Sequence, residues 1–197
     1  MQMYVNDNGA YTYYYYDYGP ILGETVWQKS LLPYDPVQMN WTNHNYHCPS
    51  YNGPIVYDPG GFSSGSYSYN TYGAANTGTA LSSSQLGLGL YNYDGGSFPS
   101  PRREAQIVAP SETFAYLDSR GRPNPATGLD VASGLPANVN PSLFSFAVPP
   151  QHGTVFNVLC CDVHVESVRL MDLFNPTNTA HRWNIDHEPH PEYWQNY

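Results

Sequence analysis

The sequence predicts an α+β domain in which an antiparallel sheet packs against a short N-terminal helix and carries long ordered loops. Apolar and β-branched residues run over 155–159 and again over 163–168, with Asp162 between the runs, which is the pattern of a β-hairpin. Ser and Tyr alternate over 66–72, as in a strand with two unlike faces. The 19 Tyr, 17 Gly and 18 Pro favour strands and ordered loops, and the many aromatic side chains disfavour disorder.

Two short helices are predicted near the start of the chain. Residues 1–8 have the pattern of the last turns of a helix, and Gly9 ends it. Thr25 is placed to cap a second helix that carries Trp27, and Pro33 ends that helix.

The remaining elements are mostly strands joined by loops. Strands are predicted at 107–109 and 113–117, separated by Pro110, and a further strand at 143–148 precedes the hairpin. One or two helical turns are expected within 167–174. A single domain is predicted over residues 1–197, with loop insertions at 73–105 and 119–141 and a C-terminal tail at 175–197.

The hairpin allows the most detailed predictions. Its reversal is expected at Cys161 and Asp162, because Val163 is β-branched and resists the positive φ that tight hairpin turns use. Asp162 should accept a backbone N–H bond across its own turn, and His164 should hydrogen-bond to Asp162 or to nearby backbone. The first strand is apolar on both faces except at Asn157, which predicts an inner position in the sheet.

The amino-acid composition disfavours some classes of function. Charged residues make up 12% of the chain, Lys29 is the one lysine, and the formal net charge is -9. This balance disfavours binding to nucleic acids and to anionic membranes. Few lysines and many Tyr and Asn also suit an extracellular protein whose lifetime depends on tightly packed loops.

The three cysteines leave three interpretations open. In an exported protein, Cys48 could form a disulfide with Cys160 or Cys161, although strand alternation points the last two in opposite directions. All three could instead be free, buried thiols. A zinc site is the third interpretation, since His44 and His47 precede Cys48, but no second Cys follows at a fitting interval.

Two histidines flank the predicted turn on opposing strands, His152 and His164. A structural hydrogen-bonding role near Asp162 is favoured over a metal-binding or catalytic role. The segment 61–65 has the form Gly-x-Ser-x-Gly, but it lacks the apolar strand that a nucleophile elbow requires. We therefore predict that the chain is not an enzyme.

The hairpin also carries a resemblance to a known family. His152, nine further residues and Asp162 resemble the signature of the prepilin-type processing-associated domain of bacterial pilin-like proteins, which consists of His, nine residues and Asp-Gly. Val163 stands where that signature has Gly, which places the turn geometry in question. Further segments similar to this family occur in the same order at 1–9, 27–34, 46–50, 66–73, 110–119 and 182–190.

This resemblance implies a pilin-like fold and a structural function. The expected protein is a subunit of an extracellular bacterial filament, tube or type II secretion-type pseudopilus, located at the cell surface and assembling with copies of itself. Family members begin with a long apolar helix, so we expect Met1 to be an internal residue of that helix and this chain to hold no membrane span. The alternative is a secreted module that binds carbohydrate or another surface through exposed Tyr and Trp.

Further sites follow from this interpretation. Contacts between subunits are expected from residues 11–18 and from the loop at 73–101. The tyrosines singled out for that interface are Tyr13, Tyr14, Tyr15, Tyr16 and Tyr18. No cofactor is expected apart from calcium, which pseudopilins often bind, and the loop carboxylates considered for it are Asp94, Asp118 and Asp130. Asn40 lies in an Asn-x-Thr sequon, the one candidate for an N-linked glycan.

Overall fold

A computed structural model of the chain describes residues 1–12, 27–34, 47–51, 65–71, 73–74, 86–88, 102–119, 121–123, 126–128, 131–132 and 151–193. These residues form a mixed α+β fold in which four antiparallel strands are accompanied by short helices, including one at the N-terminal end. The predicted α+β class is therefore confirmed. Thr25 and the strand predicted at 143–148 lie outside the described residues.

Both predicted N-terminal helices are present. Helix α1 spans Gln2–Asn8 and ends at Gly9, which has a φ of 64° and donates its backbone N–H to the carbonyl of Val5. Helix α2 spans Trp27–Leu31 and continues into a 3₁₀ turn at Leu32–Tyr34. Each helix buries an apolar side chain against the sheet.

The main sheet contains five strands in the order β5-β1-β2-β6-β7. Strand β1 pairs parallel with β5, and the other neighbours pair antiparallel. Strands β3 and β4 form a separate two-stranded ladder. In chain order the strands are β1 Tyr67–Asn70, β2 Phe114–Asp118, β3 Gly121–Pro123, β4 Ala126–Gly128, β5 Val131–Ala132, β6 Val155–Cys160 and β7 Val165–Arg169.

Strands β6 and β7 form the predicted hairpin. Val155 lies opposite Arg169, and Leu159 lies opposite Val165. Strand β6 has an inner position between β2 and β7, as its apolar sequence predicts. One of its faces is buried and the other is half-buried, so burial on both faces is only partly correct. The return strand begins at Val165, two residues later than expected.

The core lies on both faces of the sheet. Helices α1 and α2 cover one face, and the buried side chains there include Val5, Tyr11, Trp27, Tyr69 and Tyr116. Two C-terminal helices, α3 at Leu170–Leu173 and α4 at Pro176–Trp183, cover the other face. The buried side chains on that second face include Phe114, Leu117, Phe156, Leu173 and Trp183.

An irregularity in β2 distributes its side chains between the two faces. The register with β6 shifts between Phe114 and Tyr116. Because strict alternation is broken at this bulge, Ala115 and Tyr116 both pack on the α1 side, whereas Phe114 and Leu117 pack on the α4 side. All five residues of β2 are buried, which makes this strand the centre of the fold.

The C-terminal segment predicted as a polar tail is instead part of the core. Helix α4 begins after Asn175, whose side chain accepts the backbone N–H of Thr177, and it has Pro176 in its first turn. Trp183 at its end is fully buried, and its indole N–H donates to the carbonyl of Leu173. The sequence did not predict this helix because it is mostly polar and only one of its faces carries buried residues.

Part of the predicted loop insertion at 73–105 also packs in the core. Gly73 and Gly87 bring two backbone segments together, and a Cβ on Gly87 would lie 2.4 Å from the nitrogen of Gly73. The backbone N–H of Leu88 donates to Asn70, and the carbonyl of Leu86 accepts the N–H of Ile185. Residues 86–88 thus connect β1 to the segment that follows α4.

Two local predictions are wrong. Residues 107–109 are not a strand, because the chain makes a 3₁₀ turn at Glu104–Gln106 and then tight turns as far as Thr113. Strand β1 does not present two unlike faces: Ser68, Tyr69 and Asn70 are all buried. The polar side chains of β1 are accommodated through hydrogen bonds, since the amide of Asn70 donates to the carbonyls of both Phe114 and Trp183.

Candidate ligand site at the start of strand β6

A cavity of about 610 Å³ lies between helix α2, Met1 at the start of α1 and the face of the main sheet. Its walls are mostly apolar and include Trp27, Leu31 and Val165. Four side chains with imidazole, thiol or carboxylate groups line it, namely His47, Cys48, Asp118 and His152, and the last three bring their ligand atoms within 4.8 Å of one another. An apolar cavity with a few converging polar groups is the usual form of a small-molecule site.

Cys48 and Asp118 both approach the imidazole of His152. The Sγ atom of Cys48 lies 3.2 Å from Nε2 of His152. The same Nε2 lies 3.6 Å from Oδ2 of Asp118, and all three ligand atoms fall within 4.8 Å of one another. Cys48 and Asp118 are buried, with 3% and 2% of their surface exposed, whereas the side chain of His152 is 30% exposed.

Ser66 holds two sides of this site together. Its hydroxyl accepts the backbone N–H of Cys48 at 3.0 Å. Its carbonyl accepts the side-chain amide of Gln151 at 3.0 Å and the backbone N–H of Ser119 at 2.7 Å. Gln151 precedes His152 and Ser119 follows Asp118 in the sequence. Both are therefore bonded to Ser66, which also bonds to the backbone of Cys48.

Asp118 is positioned by the sheet itself. It is the last residue of β2, and its Oδ2 accepts the backbone N–H of Asn157 in β6 at 2.7 Å. Burial raises the pKa of Asp118, and the bond from Asn157 and the proximity of His152 act in the opposite direction. Asp118 was predicted as a loop residue that could bind calcium, and its place on a buried strand contradicts the loop assignment.

The arrangement differs from a nucleophile–base–acid relay. In such a relay the histidine uses one ring nitrogen for the nucleophile and the other for the carboxylate. Here the single Nε2 of His152 faces both Cys48 and Asp118. The geometry therefore favours convergent ligation of one species over proton transfer along a chain.

The other end of β6 carries the second half of the signature. The Oδ1 atom of Asp162 accepts the backbone N–H of His164 at 3.2 Å and lies 2.6 Å from its Nδ1. The hydrogen bond with His164 lowers the pKa of Asp162. Both predicted contacts of this turn are confirmed. Val163, which was expected to avoid a positive φ, has a φ of 70°.

The structure separates His152 from Asp162. The six residues of β6 lie between them, a distance of about 20 Å along an extended strand. His152 shares its environment with Cys48 and Asp118, whereas Asp162 shares its environment with His164. The two signature residues therefore serve different local structures.

The three cysteines are free, so the disulfide that the sequence left open as one interpretation is not formed in the structure. Cys160 and Cys161 lie in the cores on opposite faces of the sheet, as strand alternation requires, and Cys48 contacts His152 instead of either thiol. Burial raises the pKa of the Cys160 and Cys161 thiols to about 12 each. These two thiols are consequently poor nucleophiles.

Several predicted positions lie outside the described residues. They are Tyr13, Tyr14, Tyr15, Tyr16 and Tyr18, the sequon residue Asn40, the carboxylates Asp94 and Asp130, and His44. Tyr11, which was grouped with the interface tyrosines, is described and is buried, with its hydroxyl donating to the carbonyl of Cys161. Tyr11 is thus a core residue.

Sequence reasoning named Cys48, Asp118 and His152 separately and did not bring them together. Cys48 and His152 are 104 residues apart, and Asp118 lies between them on a different strand. The one available signal was that Cys48, Asp118 and His152 all belong to segments of the pilin-like resemblance. Spacing alone gives no indication of this group.

Comparisons with family models, with curated proteins and with solved structures found no match to this chain. The pilin-like resemblance therefore depends on the motif residues themselves. Among the described residues, no helix combines the length and the apolar character that crossing a membrane requires.

Proposed function

We propose that this chain is a structural subunit of an extracellular bacterial filament, tube or pseudopilus. One observation carries the proposal: a helix at the N-terminal end packs on an antiparallel sheet, and the hairpin with the His, nine residues, Asp pattern provides an inner strand of that sheet. A pilin-like subunit combines these same parts in this order.

The described surface offers apolar contact points for assembly. Among the described residues, large apolar side chains are exposed at five positions, Met3, Val108, Val163, Val165 and Met171. Met171 is 81% exposed on α3 and Val165 is 63% exposed on β7, so they are carried by different elements. Several dispersed apolar positions fit a subunit that meets more than one neighbour, because heterologous contacts extend an assembly without closing it.

The aromatic segment that follows Tyr11 is the second source of contacts. Tyr11 anchors the start of this segment in the core through its bond to Cys161. We propose that Tyr13, Tyr14, Tyr15 and Tyr16 meet neighbouring subunits, since tyrosine combines a large apolar ring with a polar hydroxyl. Tyr11 itself is excluded from this role because it is buried.

The alternative function, a module that binds carbohydrate through exposed aromatic side chains, has less support. The two tryptophans within the described residues, Trp27 and Trp183, are buried. They stabilise the two core layers and present no ring to solvent. The described aromatic side chains that could contribute to such a surface are the half-buried Tyr4, Tyr34 and Tyr67.

Electron microscopy of the native protein tests the proposal. We expect regular filaments or tubes in material isolated from the source cells. Replacing Tyr13, Tyr14, Tyr15 and Tyr16 by Ser should abolish them while the circular dichroism spectrum and the monomer stability stay unchanged. The matched control is Tyr11→Phe, which keeps the buried ring and should leave assembly intact. Native material that is monomeric and dispersed at all concentrations would contradict the proposal and favour a binding module.

A further inference from the structure

We propose that Cys48, Asp118 and His152 bind one zinc ion, with a fourth coordination position open to the cavity beside them. This inference is independent of the proposed filament function. It starts from the convergence of a thiol, a carboxylate and an imidazole on one point, with their ligand atoms within 4.8 Å of one another.

The distances fit a shared metal ion. With Zn–S near 2.3 Å and Zn–N or Zn–O near 2.0 Å, tetrahedral geometry separates sulfur from nitrogen by about 3.5 Å and nitrogen from oxygen by about 3.3 Å. The structure has 3.2 Å between Cys48 and His152, and 3.6 Å between His152 and Asp118. Both of these pairs are within a few tenths of an ångström of a tetrahedral edge, and the third pair, Cys48 and Asp118, has its ligand atoms within 4.8 Å.

Hydrogen bonds alone account for this group poorly. The Nε2 atom of His152 can either donate one proton or accept one. If it accepts from the Cys48 thiol, its single lone pair is used and it has no proton to offer the Asp118 carboxylate, and if it donates to Asp118, the thiol loses this acceptor. A cation between the three atoms satisfies all of them at once.

The charges of the group also fit a divalent cation. A thiolate and a carboxylate together carry two negative charges, and a neutral imidazole adds none. Cys48 and Asp118 are almost completely buried, where uncompensated charge is strongly unfavourable. A doubly charged ion neutralises the site. Sulfur and nitrogen ligands select zinc over calcium or magnesium, which prefer oxygen.

The surrounding structure holds each ligand in place before an ion arrives. Ser66 fixes the backbone of Cys48, and the backbone N–H of Asn157 fixes the Asp118 carboxylate. That N–H uses one lone pair of Oδ2 and leaves another for the metal. Such outer contacts orient metal ligands and increase affinity.

Two other groups of potential ligands are less suitable. Cys160, His164 and Glu166 also converge, but the guanidinium of Arg182 already forms an ion pair with Glu166 and lies 3.9 Å from the Cys160 sulfur. The fixed positive charge of Arg182 opposes a metal cation there. The third group, Glu112, His181 and His187, lacks a thiolate, and Glu112 is exposed.

Three protein ligands leave the ion incomplete. Structural zinc sites in proteins are closed by four protein ligands, whereas sites that bind a further molecule keep one position open. Here the open position faces the cavity of about 610 Å³. Water, or the anionic end of a small molecule with an apolar body, would complete the coordination.

Cobalt substitution tests the site directly. Co²⁺ added to the metal-free protein should bind with one-to-one stoichiometry and give both the intense visible bands of tetrahedral cobalt and a thiolate-to-cobalt charge-transfer band. Zinc should displace it. Cys48→Ser should remove the charge-transfer band, and Asp118→Asn should weaken zinc binding by at least about a hundredfold, the upper end of the loss seen for outer-shell partners.

Cys160→Ser is the matched control, because it removes a buried thiol from a different converging group and should leave the cobalt spectrum unchanged. If Cys48→Ser does not fold, alkylation of the wild-type protein decides instead. Zinc should then slow modification of Cys48, measured by peptide mass spectrometry. A wild-type protein without a charge-transfer band, a band that is lost with Cys160 and not with Cys48, or unprotected alkylation of Cys48 would each overturn the proposal.

Discussion

The two ends of strand β6 differ in the burial of their polar side chains and in how far along the chain the partners of those side chains lie. At the start of β6, His152 joins Cys48 and Asp118 from distant parts of the chain in a largely buried site. At the end, Asp162 bonds to His164 two residues away on an exposed turn. A residue in the left-handed conformation lies beside each end, Gly153 with a φ of 75° and Val163 with a φ of 70°.

The two groups of contacts differ in the sequence separation between the residues that they join. The side-chain contacts of Asp162 are local, so removing its carboxylate affects only exposed hydrogen bonds to His164. The contacts around His152 connect β2, β6 and the segment that contains Cys48. Removing one of them therefore leaves polar groups of this site without partners. Four substitutions test this difference, and we order them from the largest expected effect to the smallest.

Asp118→Ala should lower the free energy of unfolding by about 2 kcal/mol, because it leaves the half-buried N–H of Asn157 without its acceptor. Urea denaturation with a metal chelator present measures this contribution apart from zinc. Leu159→Ala on the half-buried face of β6 is a control for general disruption of the strand and should not change the effect of removing Asp118 when the two are combined. A loss below about 0.5 kcal/mol would show that the carboxylate is dispensable to the fold.

Gly153→Ala should lower stability by about 1 kcal/mol through backbone conformation alone. A Cβ at this position meets no atom within 4 Å, so steric overlap with the rest of the protein contributes nothing. The cost comes from placing an L-residue at a φ of 75°. Gly9→Ala provides a matched comparison, because Gly9 has a φ of 64° and equally open surroundings. Equal stability of wild type and Gly153→Ala in thermal denaturation would contradict this account.

The sequence predicted the hydrogen bonds of Asp162 at the end of β6, but it did not predict the contacts of His152 before the start of β6. The bonds of Asp162 follow from residues two positions apart, so pattern and turn chemistry suffice. The site of Cys48, Asp118 and His152 depends on how β2 and β6 pair, which no local spacing encodes. Helix α4 was missed for a related reason, since its polar sequence gives little sign that Trp183 is buried.

Asp162→Asn should reduce stability by up to about 1 kcal/mol at neutral pH, and the difference from wild type should disappear in acid. The bond with His164 lowers the pKa of the folded Asp162 below its ordinary value of 3.8. The ionised group therefore stabilises the fold above pH 3.8, and this contribution is lost as the pH falls from there through the lowered pKa. Unfolding measured from about pH 6 down to about pH 2 checks the sign. A difference that grows in acid would contradict it.

Val163→Gly should raise the free energy of unfolding by about 0.5 kcal/mol. Among the four substitutions this is the smallest expected effect and the only increase in stability. Holding a β-branched residue in the left-handed conformation costs about 1–2 kcal/mol. Glycine removes that cost but loses about 0.5–1 kcal/mol through the greater freedom of the unfolded chain. Val163 is 42% exposed, so little packing is lost with its side chain. Val163→Ala keeps an L-residue at the same φ and should gain less than glycine. If Val163→Gly instead destabilises the protein in urea denaturation, the valine side chain makes a contribution that outweighs its strain, and the two ends of β6 are less alike in their backbone requirements than their φ angles indicate.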